Sequence, residues 1–170
     1  MGTVTRVGDN ASGNFKVNDR VAVGPNVDCC GDCEHCSEGE ESYCDERVDT
    51  YLGKHRATGV PTQGGFAERM VVDQRFVFHV PDNLPSYTAA PLMCAGLTVF
   101  QPLQRHFCDG ASVGIVGVGG LGHFALQFAR ALGYKRVIAF SHTEDKDDIA
   151  KQLGAHEVVC TKATRTLLTS

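Results

Sequence analysis

The run CCGDCEHCSEGEESYC, residues 29–44, restricts what this chain can fold into more than any other stretch. Cys30, Cys33, Cys36 and Cys44 fall as C-x2-C-x2-C-x7-C inside 15 residues. That spacing suits a tetrahedral Zn²⁺, which takes four deprotonated sulfurs converging on one point. Cysteines three apart wrap successive sulfurs round one metal, and the longer loop returns the fourth. Gly31 and Gly39 give the backbone freedom that such turns require. Four cysteine ligands leave no open coordination position, so a metal held here is structural rather than catalytic. A disulfide pair or chance clustering is the competing reading. Cys29 is the surplus thiol and reads as a bystander rather than a ligand.

The rest of the composition narrows the setting. A chain of 170 residues suits one ordinary domain or two small ones. Hydrophobic residues at 42% and charged residues at 21% describe a globular protein, and a net charge of −4 without a basic run argues against nucleic acid. Four of the eight cysteines belong to the cluster and the rest are scattered, which fits a reducing compartment better than a secreted disulfide scaffold. The opening GTVTRVGDN carries no signal-like apolar segment, and no stretch reaches the length of a membrane helix. The expected location is the cytoplasm.

Three textures follow one another along the chain. Short alternating runs, Thr3–Val7 and Arg20–Val23, read as strands separated by turn residues from Gly8 to Gly13. The thiol-rich lobe comes next, and strands return as GGFAERMVV and RFVFHV before Pro81. Ser86 is placed to cap a helix that Pro91 bends, and a second helix is expected from Met93 to His106. SVGIVG then reads as a strand, 122–132 as a helix ended by Gly133, and 136–140 as a buried strand. A helix over 147–153, stopped by Gly154, and a strand over 157–160 complete the series. Strands alternating with helices predict βαβ units in a parallel sheet, so a β-rich part precedes an α/β part.

Gly117-Val118-Gly119-Gly120-Leu121-Gly122 fits G-x-G-x-x-G between a strand and a helix. In that context Gly117 makes the tight turn, Gly119 lets backbone approach a pyrophosphate, and Gly122 packs helix against strand. The helix N-terminus then binds the phosphates. A glycine-lined packing site without ligand is the alternative. His123 reads as a first-turn packing or capping residue rather than a catalytic one. At the end of the next strand an acidic residue would hold the ribose of NAD. This chain has Ser141, His142 and Thr143 with Lys146 close behind, which favours the 2′-phosphate of NADP. Glu144 and Asp145 oppose that field, and the stretch also reads as a solvated turn.

Lobe and glycine loop together resemble the zinc-dependent medium-chain alcohol dehydrogenases, nearest the NADP-dependent cinnamyl alcohol dehydrogenase branch. TQGGFAERMVV (62–72), VPDNLP (80–85), APLMCAGLTVFQPL (90–103) and VGIVGVGGLGHFALQFARALG (113–133) carry the resemblance. It implies a partial GroES-like β domain over 1–85 with the zinc lobe at 29–44, then half of a Rossmann doubly wound parallel sheet over 86–170. It implies an oxidoreductase that moves hydride between NADP(H) and a primary alcohol or aldehyde. By position, Cys30, Cys33, Cys36 and Cys44 match the structural zinc ligands, and Cys94 one ligand of a catalytic zinc. Thr98 matches a contact to the nicotinamide end. Gly117, Gly119, Gly120, Leu121 and Gly122 match the pyrophosphate loop, and Ser141, His142 and Lys146 the 2′-phosphate group. A family-type homodimer is a further implication.

The resemblance also marks departures. The family's first catalytic-zinc ligands precede the stretch matched by GTVTRVG, and the second half of its sheet follows the stretch matched here. The expectation is therefore a central fragment, truncated at both ends, whose catalytic zinc site is incomplete and whose SVGIVG strand stands at a sheet edge. A non-catalytic, zinc-stapled nucleotide-binding or interaction module is the alternative function.

Overall fold

The computed structural model describes residues 1–12 and 14–164, so Gly13 and the last six residues of the expected second domain lie outside it. It divides into two units, Met1–Met93 and Cys94–Ser170.

In the first unit, β1 (Gly2–Thr3), β2 (Arg20–Val23) and β7 (Val77–His79) form an antiparallel sheet in the order β1-β2-β7. Val21 and Ala22 are both buried there. Ala22, Val80 and Ala89 form a small core with Leu84 and Met93, and Ala89 is presented by α2 (Ser86–Pro91). Two antiparallel pairs complete the unit: β3 (Asn26–Asp28) with β4 (Val48–Asp49), and β5 (Tyr51–Lys54) with β6 (Pro61–Gln63). The β3–β4 pair closes the base of the cysteine lobe, whose single helical turn is α1 (Glu34–Ser37).

Several expected elements are shorter. The strand expected over 3–7 amounts to Gly2–Thr3, and GGFAERMVV is irregular beyond β6. Gly64 turns with φ +70, and a Cβ there would lie 1.9 Å from the Tyr51 ring, so the chain leaves the β5–β6 pair at that point. RFVFHV loses its first residues to a 3-10 turn, Gln74–Phe76, because the Asp73 side chain accepts from Arg75 N at 2.9 Å. Ser86 does not cap α2. Pro85 stands at the cap, and its carbonyl accepts from Thr88 and Ala89. Pro91 ends α2, and a π-helical turn, Leu92–Gly96, delays α3 until Leu97–Arg105.

The second unit is a parallel sheet of β8 (Ser112–Val116), β9 (Arg136–Ser141) and β10 (Glu157–Cys160) in the order β10-β9-β8. Helix α4 (Gly120–Leu132) connects β8 to β9, and α5 (Asp147–Gln152) connects β9 to β10. A last turn, α6 (Thr161–Thr164), follows. The buried stripe of α4 (Gly122, Ala125, Leu126, Ala129) recurs every three to four residues and meets Val137 and Ala139 of β9. Gly133, at φ +90, ends α4 in the left-handed conformation that a side chain resists. The fold class is α/β with a β-rich part, an antiparallel region followed by a parallel sheet with its connecting helices. Strand β8 pairs on one side only among the described residues, and Val116 is 84% exposed.

Candidate metal centre and nucleotide loop

The lobe is built from turns that aim sulfur inward. Gly31 (φ +85) and Gly39 (φ +77) reverse the chain on either side of α1, and Cys33 stands at the helix cap. The Cys44 N–H closes the 3-10 turn Glu41–Tyr43 onto Glu41 O. The sulfurs of Cys30, Cys33, Cys36 and Cys44 all lie within 4.8 Å of one another. Cys30 and Cys36 are 3.8 Å apart and Cys44 and Cys30 3.5 Å. Tetrahedral Zn–S bonds of about 2.3 Å put sulfurs about 3.8 Å apart, whereas a disulfide brings them to about 2.0 Å. The donors therefore fit zinc and do not fit a bridge.

Backbone amides complete the environment. Those of Asp32 and Cys33 point at the Cys30 sulfur, that of Gly31 at Cys36, and those of Cys30 and Glu46 at Cys44. Such bonds favour the thiolate, and the Cys30 N–H holds Cys44 down at about 7. Burial pushes Cys36 up, and the Asp32 side chain raises Cys30. Cys29, fully buried, lies outside this set of four.

The glycine loop is a second built feature. Gly117 takes φ +89, and its N–H donates to Phe140 O at 2.9 Å, tying the loop to β9. A Cβ on Gly122 would lie 2.1 Å from Gly117 O, so only glycine lets α4 approach the turn this closely. Nothing lies within 4 Å of a Cβ on Gly119 or Gly120, so the loop leaves open space beside the start of α4, whose first amides have no partner within the helix. His123 Nδ1 donates to Gly119 O at 2.7 Å, the carbonyl that also accepts from the His123 amide, so the ring packs in the first turn rather than satisfying a free amide.

Two family models match the chain: an alcohol dehydrogenase GroES-like domain over residues 1–82 and a zinc-binding dehydrogenase over residues 120–169. The chain belongs to the zinc-binding alcohol dehydrogenases. Among relatives, it is 41% identical to cinnamyl alcohol dehydrogenase 8 of Arabidopsis thaliana, covering 91% of this chain and 43% of the relative. It is 43% identical to a probable mannitol dehydrogenase of Fragaria ananassa over the same shares. A solved cinnamyl alcohol dehydrogenase of Sorghum bicolor superposes with a TM-score of 0.86 at 44% identity, covering 93% of this chain and 45% of that one. One from Helicobacter pylori, complexed with NADP(H), gives 0.86 at 35% identity, covering 92% and 45%. The chain spans about half the length of the curated relatives it matches.

Within this zinc-binding alcohol dehydrogenase chain the remaining expected site residues are placed as follows. Cys94 is exposed in the π-helical turn, and Thr98 Oγ1 donates to its carbonyl at 2.8 Å, a back-bond that occupies that hydroxyl. Ser141 is buried at the end of β9, its Oγ accepting from Thr143 N at 3.4 Å. His142 opens onto a cleft of about 350 Å³ with Thr143, Glu144, Cys160 and Lys162. Lys146 is not among the lining residues, while Lys162 is. Lys162 was missed because it follows the third strand. Its signal was a cation two residues past Cys160, where parallel strands deliver side chains to one end of a sheet. Among the described residues no second group of three metal-ligating side chains gathers, and none is long and apolar enough in helix to cross a membrane.

Proposed function

We propose that this chain is the metal-stapled, cofactor-binding part of an NADP(H)-dependent alcohol dehydrogenase or aldehyde reductase. The observation that carries the reading is the pairing, in one chain, of four converging thiols with a glycine loop opening a helix at the end of a parallel strand. Cys30, Cys33, Cys36 and Cys44 hold a structural zinc. Four thiolates close its coordination, so their task is to pin the lobe, with no position left for substrate. NADP(H), when bound, supplies or accepts the hydride. The loop from Gly117 to Gly122 (Gly117, Gly119, Gly120, Leu121 and Gly122) receives the pyrophosphate on the free amides of α4.

Ser141, His142 and Lys146 are assigned to the adenosine 2′-phosphate, with Lys162 added from the cleft wall. The NADP(H) complex of the Helicobacter pylori relative supports that choice over NAD. Thr98 is assigned to the nicotinamide end and Cys94 to a catalytic zinc, the substrate being a primary alcohol or aldehyde, as the relatives' names suggest. A homodimer of the family type and a cytoplasmic location complete the proposal. Thiolate ligands persist in a reducing compartment.

A narrower reading also has support. The one ligand cluster gathered by the described residues is closed to substrate, which suits a zinc-stapled nucleotide-binding or interaction module. Calorimetry with NADPH and NADH, followed by an aldehyde reduction assay on the same sample, separates the two. Tight NADPH binding with turnover supports the reductase. NADPH binding without turnover supports the nucleotide-binding module, and binding of neither nucleotide refutes the reductase and leaves only the interaction module.

A further inference from the structure

Four thiolates around a divalent cation leave two negative charges in excess. The lobe deepens that charge, since between Asp28 and Arg47 eight carboxylates accompany a single arginine. That arginine is already paired with Asp49 at 3.5 Å. Two arginines from outside this stretch, each also paired with a carboxylate, arrive at Cys29. Arg56 Nη1 donates to Cys29 O at 2.9 Å, and its Nη2 donates to Glu46 at 2.6 Å. Arg75 Nη1 instead reaches the sulfur, 3.6 Å from Cys29 Sγ. Cys29 in turn shares one buried cluster with the ligand Cys44, and Cys30, Cys33 and Cys36 pack against it.

Arg75 is held in this position from several sides. Asp73 accepts from Nε at 3.1 Å and from Nη2 at 3.2 Å, and Asp28 Oδ1 lies 3.6 Å from Nη2. The Phe76 ring lies 5.7 Å from the guanidinium carbon. Gly31 clears the approach: a Cβ there would sit 3.0 Å from Arg75 Nη1. The lobe's own turn thus leaves room for a cation from the 3-10 turn.

We propose that Arg75 is the counter-cation of the metal–thiolate cluster and acts through the Cys29 thiol, which relays its field to the ligand thiols packed around it. Arg75 is a positioning residue, and Cys29, outside the ligand set, is its link to the metal. Groups that hydrogen-bond to ligands set metal affinity in this way. The proposal rests on the zinc reading of the four cysteines.

The test is metal affinity in the reduced 170-residue chain. Co²⁺ uptake is followed by its tetrahedral thiolate absorption, and Zn²⁺ is ranked by chelator competition. Arg75→Met is expected to weaken zinc by about 10- to 100-fold while leaving the cobalt spectrum tetrahedral. Arg75→Lys recovers part of the loss, keeping the charge without the fork. Arg56→Met, acting on a carbonyl, costs less. Cys29→Ala weakens zinc in the same direction, and Arg75→Met adds little on top of it, which marks a shared path. Wild-type affinity in Arg75→Met overturns the inference alone. So does a loss that Arg75→Lys fails to relieve and that adds fully to Cys29→Ala, which marks plain packing. A wild-type chain that takes up no cobalt overturns the zinc reading, and this inference with it.

Discussion

The cysteine lobe and the nucleotide end of the parallel sheet solve the same problem, holding a charged guest, by opposite routes. The lobe draws its ligands from 15 consecutive residues, and amides of the same loop already point at the sulfurs. The nucleotide end is assembled from the ends of β8, β9 and β10, with backbone supplied by one and side chains by the other two. The difference lies in what holds each region together. Helix α4 stands on an apolar core that includes Leu126, Val137 and Ala139. The lobe has Cys29, Cys44 and Phe76 and the remaining thiols in place of a core. A region that small needs a staple, and the metal is the staple.

Removing the metal is therefore the sharpest way to break the comparison. Structural zinc contributes on the order of 10–16 kcal/mol in small zinc peptides at neutral pH. Cys33→Ser, or chelation of the wild type, is expected to open residues 29–44 to protease and to fast amide exchange. The amides of α4 and β9 keep their protection. Unchanged protease resistance of the lobe would mean that its turns stand without metal. Equal loss of protection in α4 would mean that the two regions do not differ in this respect.

The glycine loop offers a second, smaller contrast. Gly122→Ala drives a Cβ toward a backbone oxygen that has little room to yield, at a cost of about 1–3 kcal/mol and a melting temperature lowered by several degrees. Gly119→Ala meets open space, so it leaves the melting temperature nearly unchanged and weakens only nucleotide binding. Thermal melts with and without NADPH distinguish the two substitutions. Identical melting of both variants would remove the packing role assigned to Gly122.

The smallest expected effect lies at the end of β9. Lys162→Ala is expected to raise the Kd for NADPH about fivefold with little change for NADH, as suits one exposed charge. Lys146→Ala, outside the cleft, changes it less. The reverse order would make Lys146, assigned from sequence, the principal cation and Lys162 the minor one.

Legibility in the sequence follows the same divide. The lobe was readable because its chemistry is local: thiol spacing and two glycines suffice to bring four sulfurs to one point. The glycine loop was readable because each glycine answers a backbone requirement, a positive φ at Gly117 and a close approach at Gly122. The parallel pairing of β8, β9 and β10 followed from alternation of strand and helix. The cation lining the cleft was not readable, because Lys162 joins His142 only after β10 lies beside β9. The irregular course of GGFAERMVV was hidden as well, since the Tyr51 ring that fills the space at Gly64 comes from a different strand. The contact between Arg75 and Cys29 was hidden for the same reason, as the two lie 46 residues apart along the chain.

Native mass spectrometry of the chain, purified without chelator and then mixed with NADPH, tests the central claim most directly. The account predicts one zinc per folded chain, absent from Cys33→Ser, with an NADPH adduct forming on the zinc-loaded species. A folded wild-type chain free of zinc, or a Cys33→Ser chain that keeps its full zinc complement, would contradict it.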